Sequence, residues 1–438
     1  MAELEPLYTA EEMRAAEAGH DVDAMMQRAG AAVAEELMRR FPDARRVALH
    51  DGGGANGGDG RIAAEILRGQ GRKLVDERPD IVIDALLGTG LKGAPRDDIS
   101  QLIEQINSAG VPVVAADIPS GVNASTGEVA GAAVQADLTV TMHGPKVGLA
   151  VAPGRFHSGD IAVADIGLEP AETEHRIVTP EILADVPRRS SRDNKYTAGH
   201  VLVVGGSRGM TGAPALAARA ALRADAGYVT IVAPGESLPV LETLVLEAVK
   251  RPLEQAFEAA GRAKALAVGP GLGREKESKA LVRRLLAEVE VPAVVDADAL
   301  FELEPGEWPA PRVLTPHEGE LARLLGRESK EVAAHRLASV QEAADRFNCV
   351  VVLKGDDSLV AAPDRGVWVS ALGLPSLSTA GTGDVLTGVT AAFLAKGMEP
   401  QRAAAAACAA QQLASHQAAQ RYGLVASDLV DALPRALG

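Results

Sequence analysis

A chain of 438 residues is too long for one ordinary hydrophobic core and calls for two domains, each burying a sheet between helices. Its formal net charge of -15, from 59 acidic residues against 44 Lys and Arg, argues against nucleic-acid partners, which need a basic surface to displace counterions. Cys349 and Cys408 form no metal or redox pattern, the acidic start (Glu3, Glu5, Glu11, Glu12) lacks a signal-peptide core and no apolar run reaches bilayer length, so a cytoplasmic protein without membrane contact is expected.

In chain order, Arg46 to His50 reads as a short strand, Asp51 to Gly60 as its glycine-rich loop, and Ile62 to Leu67 as the start of a helix. Gly52, Gly54 and Gly57, with Asp76 further on, formally fit a dinucleotide fingerprint. Against that reading, Asp59 stands where a pyrophosphate would meet the helix, and a carboxylate there repels the anion. The oxygen-rich loop fits a cation or a hydroxylated ligand instead. Two apolar strands follow, Ile81 to Leu87 and Val113 to Ala116, and each delivers an acid, Asp84 or Asp117, into a glycine-containing turn. Such acids also serve as plain helix caps. Three of them at one sheet edge point to a binding site.

These segments, with Met25 to Gly30 and His143 to Leu149, resemble the NAD(P)H-hydrate epimerase domain over residues 1–186. The resemblance implies a Rossmann-like three-layer sandwich that interconverts two hydrate epimers and carries potassium on Asn56, Asp84 and Ser120. It implies substrate contacts from Ala55, Asn56, Gly57, Gly58 and Asp59, from Gly88, Thr89, Gly90, Leu91, Lys92, Gly93 and Ala94, and from Asp117, the expected proton-handling carboxylate. The chain departs from the family in two places. Ala55 replaces the first of two Asn residues, and only Arg68 to Pro79 stands where relatives have a fuller strand-helix unit, which leaves open a first domain that is only a scaffold.

A polar, basic stretch at 187–193 reads as the linker to a second domain over 194–438. There, Ala267 to Gly273, Ala293 to Leu300, Val313 to Glu320 and Asn348 to Ser358 each run from an apolar strand into a turn rich in Gly, Asp, His or Lys. Ser378 to Asp384 then opens an apolar helix. Gly381 and Gly383 let backbone amides point outward at its start, and the positive end of the helix favours an ionised Asp384 that can take a proton from a hydroxyl beside a phosphate. A capped helix with a Thr-Gly turn is the plain alternative. The alanine-rich stretch 403–410 reads as a helix built for close packing.

Asn194-Lys195-Tyr196, Val203 to Ser207, Thr211 to Pro214, Gly269 to Gly273, Asp296 to Leu300, Leu314 to Glu318 and Thr379 to Asp384 together resemble the ribokinase-like NAD(P)H-hydrate dehydratase. The resemblance implies a three-layer α/β/α fold and an enzyme that uses ADP or ATP, with Mg2+, to phosphorylate the hydroxyl of a hydrated nicotinamide, after which phosphate leaves. By it, Asp384 is the base, Lys354, Gly355, Asp356, Asp357, Ser358 and Gly383 line the nucleotide, and Ala213, Gly271, His317 and Asp384 face the hydrated dinucleotide. Partners are then small molecules only, in a homo-oligomer. A small-molecule kinase is the other reading of the same helix corner.

Overall fold

The computed structural model describes residues 2–420 and 422–438. By contacts the chain divides into two compact units: Pro6–Arg176 with Ala333–Leu337, and Ile177–Val332 with Ala338–Gly438 and the first residues through Glu5.

In the first unit, six strands form one parallel sheet: β1 (Arg46–Asp51), β2 (Lys73–Leu74), β3 (Ile81–Ala85), β4 (Val113–Ala116), β5 (Leu138–Met142) and β6 (Asp160–Ala164). The order is β2-β1-β3-β4-β5-β6. The central strands are buried on both faces, which is why they are continuous apolar runs rather than alternating ones. Helices α1 (Ala10–Glu17), α2 (Val22–Arg40), α3 (Ala55–Gly69) and α4 (Asp97–Ser108) complete the unit. Val33, Leu37, Leu67, Ile81 and Ile83 are fully buried in its main core cluster. The short segment after α3 supplies only the two-residue edge strand β2.

One local reading is corrected. Helix α3 begins at Ala55, so Gly57, Gly58, Asp59 and Gly60 are helical rather than loop. The glycines serve packing: an added Cβ would lie 1.9 Å from the Gly52 carbonyl oxygen at position 57, 2.3 Å from Met26 Sδ at 58 and 2.5 Å from Ala85 Cβ at 60. Close approach of α3 to α2 and to the sheet therefore requires them.

The second unit is built on the larger sheet. Between residues 200 and 370 its strands are β7 (His200–Val204), β8 (Tyr228–Ala233), β9 (Val249–Pro252), β10 (Ala265–Val268), β11 (Ala293–Val295), β12 (Arg312–Leu314), β13 (Val350–Leu353), β14 (Ser358–Ala361) and β15 (Trp368–Ser370). They run in the order β15-β14-β13-β12-β11-β10-β7-β8-β9, with β14 antiparallel to both its neighbours, β13 and β15, and the other pairs parallel. Helix α5 (Gly212–Arg223) and α6 (Glu318–Leu325) precede α7 (Thr382–Ala395) and α8 (Pro400–Gln417). Every residue of α7 from Val385 to Ala395 is buried, and in α8 the run Ala403 to Ala410 is buried throughout. An added Cβ at Gly388 of α7 would lie 2.1 Å from the Ala217 carbonyl oxygen of α5, so small residues set the spacing of these helices.

The sequence places the domain boundary at 187–193, whereas the contacts group the chain with the second unit from Ile177 onward. The reason is apolar: Val178, Ile182, Leu183 and Val186 are buried in the second unit's main core cluster.

Candidate active sites

In the second unit the chemistry gathers where α7 begins. Its N-cap, Gly381, has φ 88°, and an added Cβ would also lie 2.8 Å from Leu216 Cδ1, so both backbone and space demand glycine. Asp384 sits in the first turn. Burial, followed by the charges of Asp296 and Asp298, pushes its carboxyl up to about 7, against the opposing pull of Lys354.

Lys354, at the end of β13, donates from Nζ to Asp296 Oδ1 at 2.8 Å and lies 3.7 Å from Glu320 Oε2. Asp296 is only 2% exposed at the end of β11, and its Oδ2 accepts from Thr387 Oγ1 of α7 at 2.8 Å. Burial opposes ionisation of Asp296, but the Lys354 charge and hydrogen bond outweigh it and hold the carboxyl below its usual range. Three elements are thus tied at one point. Gly383 completes it, because an added Cβ would stand 3.3 Å from Lys354 Nζ and 3.6 Å from Asp296 Oδ2.

A cavity of about 530 Å³ opens beside this cluster, lined by His317, Lys354, Gly355, Asp356, Ser358 and Gly383 together with residues 373–375, 377–380 and 411–412. Six sequence-predicted residues meet in one wall. Asp384, Asp357, Ala213 and Gly271 are not part of it. Asp357 is buried, and Ala213 and Gly271 are close neighbours, an added Cβ at Gly271 standing 3.3 Å from Ala213 Cβ. His317 also caps α6, its Nδ1 accepting from Gly319 N at 3.0 Å. Gln411, which the sequence reading passed over, donates from Nε2 to the Thr382 carbonyl at 2.5 Å and steadies the first turn of α7. Gln401, Gln411, Gln412 and Gln417 all interrupt this alanine-rich helix, and nothing in the sequence singles out Gln411.

In the first unit a cavity of about 620 Å³ is lined by Ala55, Asn56, Asp59, Gly88 to Lys92 and Asp117, and by Glu17, Met25, Met26 and Arg96. Gly57, Gly58, Gly93 and Ala94 do not line it. Asp117 has φ 64°, a left-handed conformation uncommon for a residue with a side chain, and functional sites are where such backbone occurs. Its Oδ1 accepts from Lys146 Nζ at 2.5 Å, Met142 N at 3.0 Å and Thr141 Oγ1 at 3.2 Å. Lys146 is fully buried and also donates to the Met142 carbonyl at 2.7 Å. Burial, then the charges of Asp117 and Glu17, raise Asp59 to about 7. In the sequence Lys146 stands within the His143 to Leu149 segment with nothing to assign it a role.

Beneath the cavity, Ser120 donates from Oγ to Asp84 Oδ1 at 2.6 Å and from N to Asp84 Oδ2 at 2.8 Å. Leu87 joins Asn56 to this group, donating from N to Ser120 Oγ at 2.9 Å and accepting from Asn56 Nδ2 at 2.8 Å. Asn56 Oδ1 is buried and has no hydrogen-bond partner among the described residues. An all-oxygen set with one orphaned acceptor fits a hard cation.

A mostly parallel sheet under a buried helix, with an acid in that helix's first turn, a lysine at a strand end and a cavity beside them, defines the ribokinase-like class of phosphoryl-transfer enzyme. The description NAD(P)H-hydrate dehydratase matches residues 201–435, and YjeF-related protein N-terminus matches residues 22–77 and 70–148. The chain is 36% identical over 487 aligned residues to a bifunctional NAD(P)H-hydrate repair enzyme of Moorella thermoacetica, covering 94% of this chain and 92% of the relative. It is 33% identical to the enzyme of that name from Escherichia coli, covering 94% and 88%. Among solved structures, an ADP/ATP-dependent NAD(P)H-hydrate dehydratase from Bacillus subtilis, co-crystallized with ATP/Mg2+, is similar at a TM-score of 0.55 and 29% identity, over 59% of this chain and 96% of that one. This chain belongs to the family of bifunctional NAD(P)H-hydrate repair enzymes.

Proposed function

We propose that the second unit dehydrates hydrated NADH or NADPH at the expense of ADP or ATP, and that the first unit interconverts the hydrate epimers. The observation that carries the reading is Asp384: a carboxyl pushed up to about 7 in the first turn of α7, beside a lysine already committed to Asp296. Near neutral pH such a group can hold or release a proton, as a general base requires. Asp384 would take the proton from the substrate hydroxyl as the phosphoryl group arrives. The amides at the start of α7 and the Lys354 ammonium would steady the phosphates. His317, Gly355, Asp356 and Ser358 would line the nucleotide, Asp357 would support that turn from beneath, and Ala213 and Gly271 would leave room for the dinucleotide. Mg2+ would enter on the nucleotide phosphates, where it offsets charge.

In the first unit, Asn56, Asp84 and Ser120 would hold potassium, which supplies a fixed positive charge under the substrate when bound. Ala55, Asn56, Asp59, Gly88 to Lys92 and Asp117 would border the hydrated ring and ribose, while Gly57 and Gly58 act through packing. Incubating the purified protein with the hydrate and ADP or ATP tests the reading. Recovery of the reduced-nicotinamide absorbance is expected, and its absence with both nucleotides counts against it. No helix among the described residues is long and apolar enough to cross a bilayer.

A further inference from the structure

The sequence makes Asp117 the proton-handling group of the first unit, yet the structure surrounds its Oδ1 with three donors, one of them the buried Lys146 ammonium at 2.5 Å. An oxygen so held is already committed to an ion pair and two further donors. Two other carboxylates face the same cavity: Asp59 from the second turn of α3 and Glu17 from the last turn of α1. We propose that Glu17 and Asp59 are the proton-handling pair of the first unit, and that the Lys146–Asp117 ion pair anchors the substrate beside them. This inference rests on the epimerase reading of that unit.

The chemistry needs two such groups. To exchange epimers by loss and return of water, one carboxylic acid gives its proton to the ring hydroxyl while the carbon–oxygen bond breaks, its electron pair leaves with the water and the ring nitrogen bears the positive charge. A carboxylate then takes a proton from a water that adds to the opposite face. Protons and electrons balance, and the two acids trade roles in the reverse direction.

The surroundings agree. Asp59 is 8% exposed, and burial with the charges of Asp117 and Glu17 raises it to about 7. Glu17 is half-buried, and burial first, then the Asp117 charge, raise it against the opposing Lys146. Lys92 and Arg96 are the remaining charged side chains of the cavity wall, and both are exposed. Asn56, whose buried Oδ1 belongs to the oxygen set beneath, lines the same wall, so that set and the two acids border one cavity.

The test uses the full chain without nucleotide, which silences dehydration, and follows interconversion of separated hydrate epimers by chromatography. Glu17→Gln is expected to slow exchange about 100-fold and to remove one limb of its pH profile, while Glu17→Asp, which keeps the acid, recovers part of the rate. Thermal melting and ATP-driven dehydration report whether the variants fold. Exchange by Glu17→Gln at the wild-type rate with an unchanged pH profile would overturn the proposal, as would equal impairment of the Gln and Asp variants, which assigns Glu17 to structure. A wild-type chain that exchanges nothing would instead overturn the epimerase reading beneath it.

Discussion

The two sites have the same electrostatic design on different scaffolds. In the second unit, Lys354 is bonded to Asp296 at 2.8 Å, and Asp384 nearby is pushed up to about 7. In the first, Lys146 is bonded to Asp117 at 2.5 Å, and Asp59 nearby is again pushed up to about 7. In each case a lysine satisfies one strand-end acid, and burial first, then the proximity of that acid, pushes a neighbouring carboxyl up to about 7. The difference lies in geometry. Lys354 faces an acid on a helix whose amide end can receive phosphate, whereas the acid held by the buried Lys146 lines a cavity that two further carboxyls border. The same charge arrangement therefore suits phosphoryl transfer in one unit and proton exchange in the other.

The largest expected effect tests the helix acid. Asp384→Asn keeps the shape and removes the base, so turnover should fall by about 10³- to 10⁴-fold in the absorbance assay. Nucleotide affinity by titration should stay within a few-fold, and an equal loss of both would break the comparison by making Asp384 structural.

Next comes the ion pair. Lys146→Met leaves Asp117 charged without its partner and should cost about 3–5 kcal/mol in denaturant unfolding, together with epimer exchange. If stability hardly changes, Lys146 is no buried anchor and the parallel with Lys354 fails. A subtler probe is Asp296→Asn, which removes the anion that raises Asp384. The acid limb of the dehydratase profile should then move below its wild-type position near 7, because Lys354 is left to favour the ionised form. A limb that stays in place assigns it to another group.

Packing gives a smaller effect. Gly57→Ala sets a methyl against the Gly52 carbonyl and should destabilise the first unit by about 1–3 kcal/mol in thermal or denaturant melts. The smallest effect is expected from Ala55→Asn, which supplies the amide that the epimerase resemblance implies at this position. One added substrate hydrogen bond is worth about 0.5–1.5 kcal/mol, so epimer exchange at low substrate should improve by about 2- to 10-fold.

Much of this was legible beforehand because strand ends announce themselves. Apolar runs ending in Asp84, Asp117, Asp296, Lys354 or the Gly381 to Asp384 corner place polar groups at the carboxyl edge of a parallel sheet, the ordinary location of ligands in such folds. Glu17 and Gln411 were not legible. Each lies on a helix far along the chain from the motifs it joins, and nothing local distinguishes it from a solvated or packing residue. The start of α3 was misread for a related reason: glycines at 57, 58 and 60 signal a loop in sequence, while in space they allow helix, sheet and Met26 to approach closely.

The sequence alone determined two α/β domains, the family and the strand ends that carry chemistry, because apolar patterning and short glycine-acid motifs are local signals. Tertiary structure decided which acid each lysine neutralises. That choice depends on distances of a few ångström between distant segments, and it separates a carboxylate committed to a lysine from one that burial pushes up to about 7.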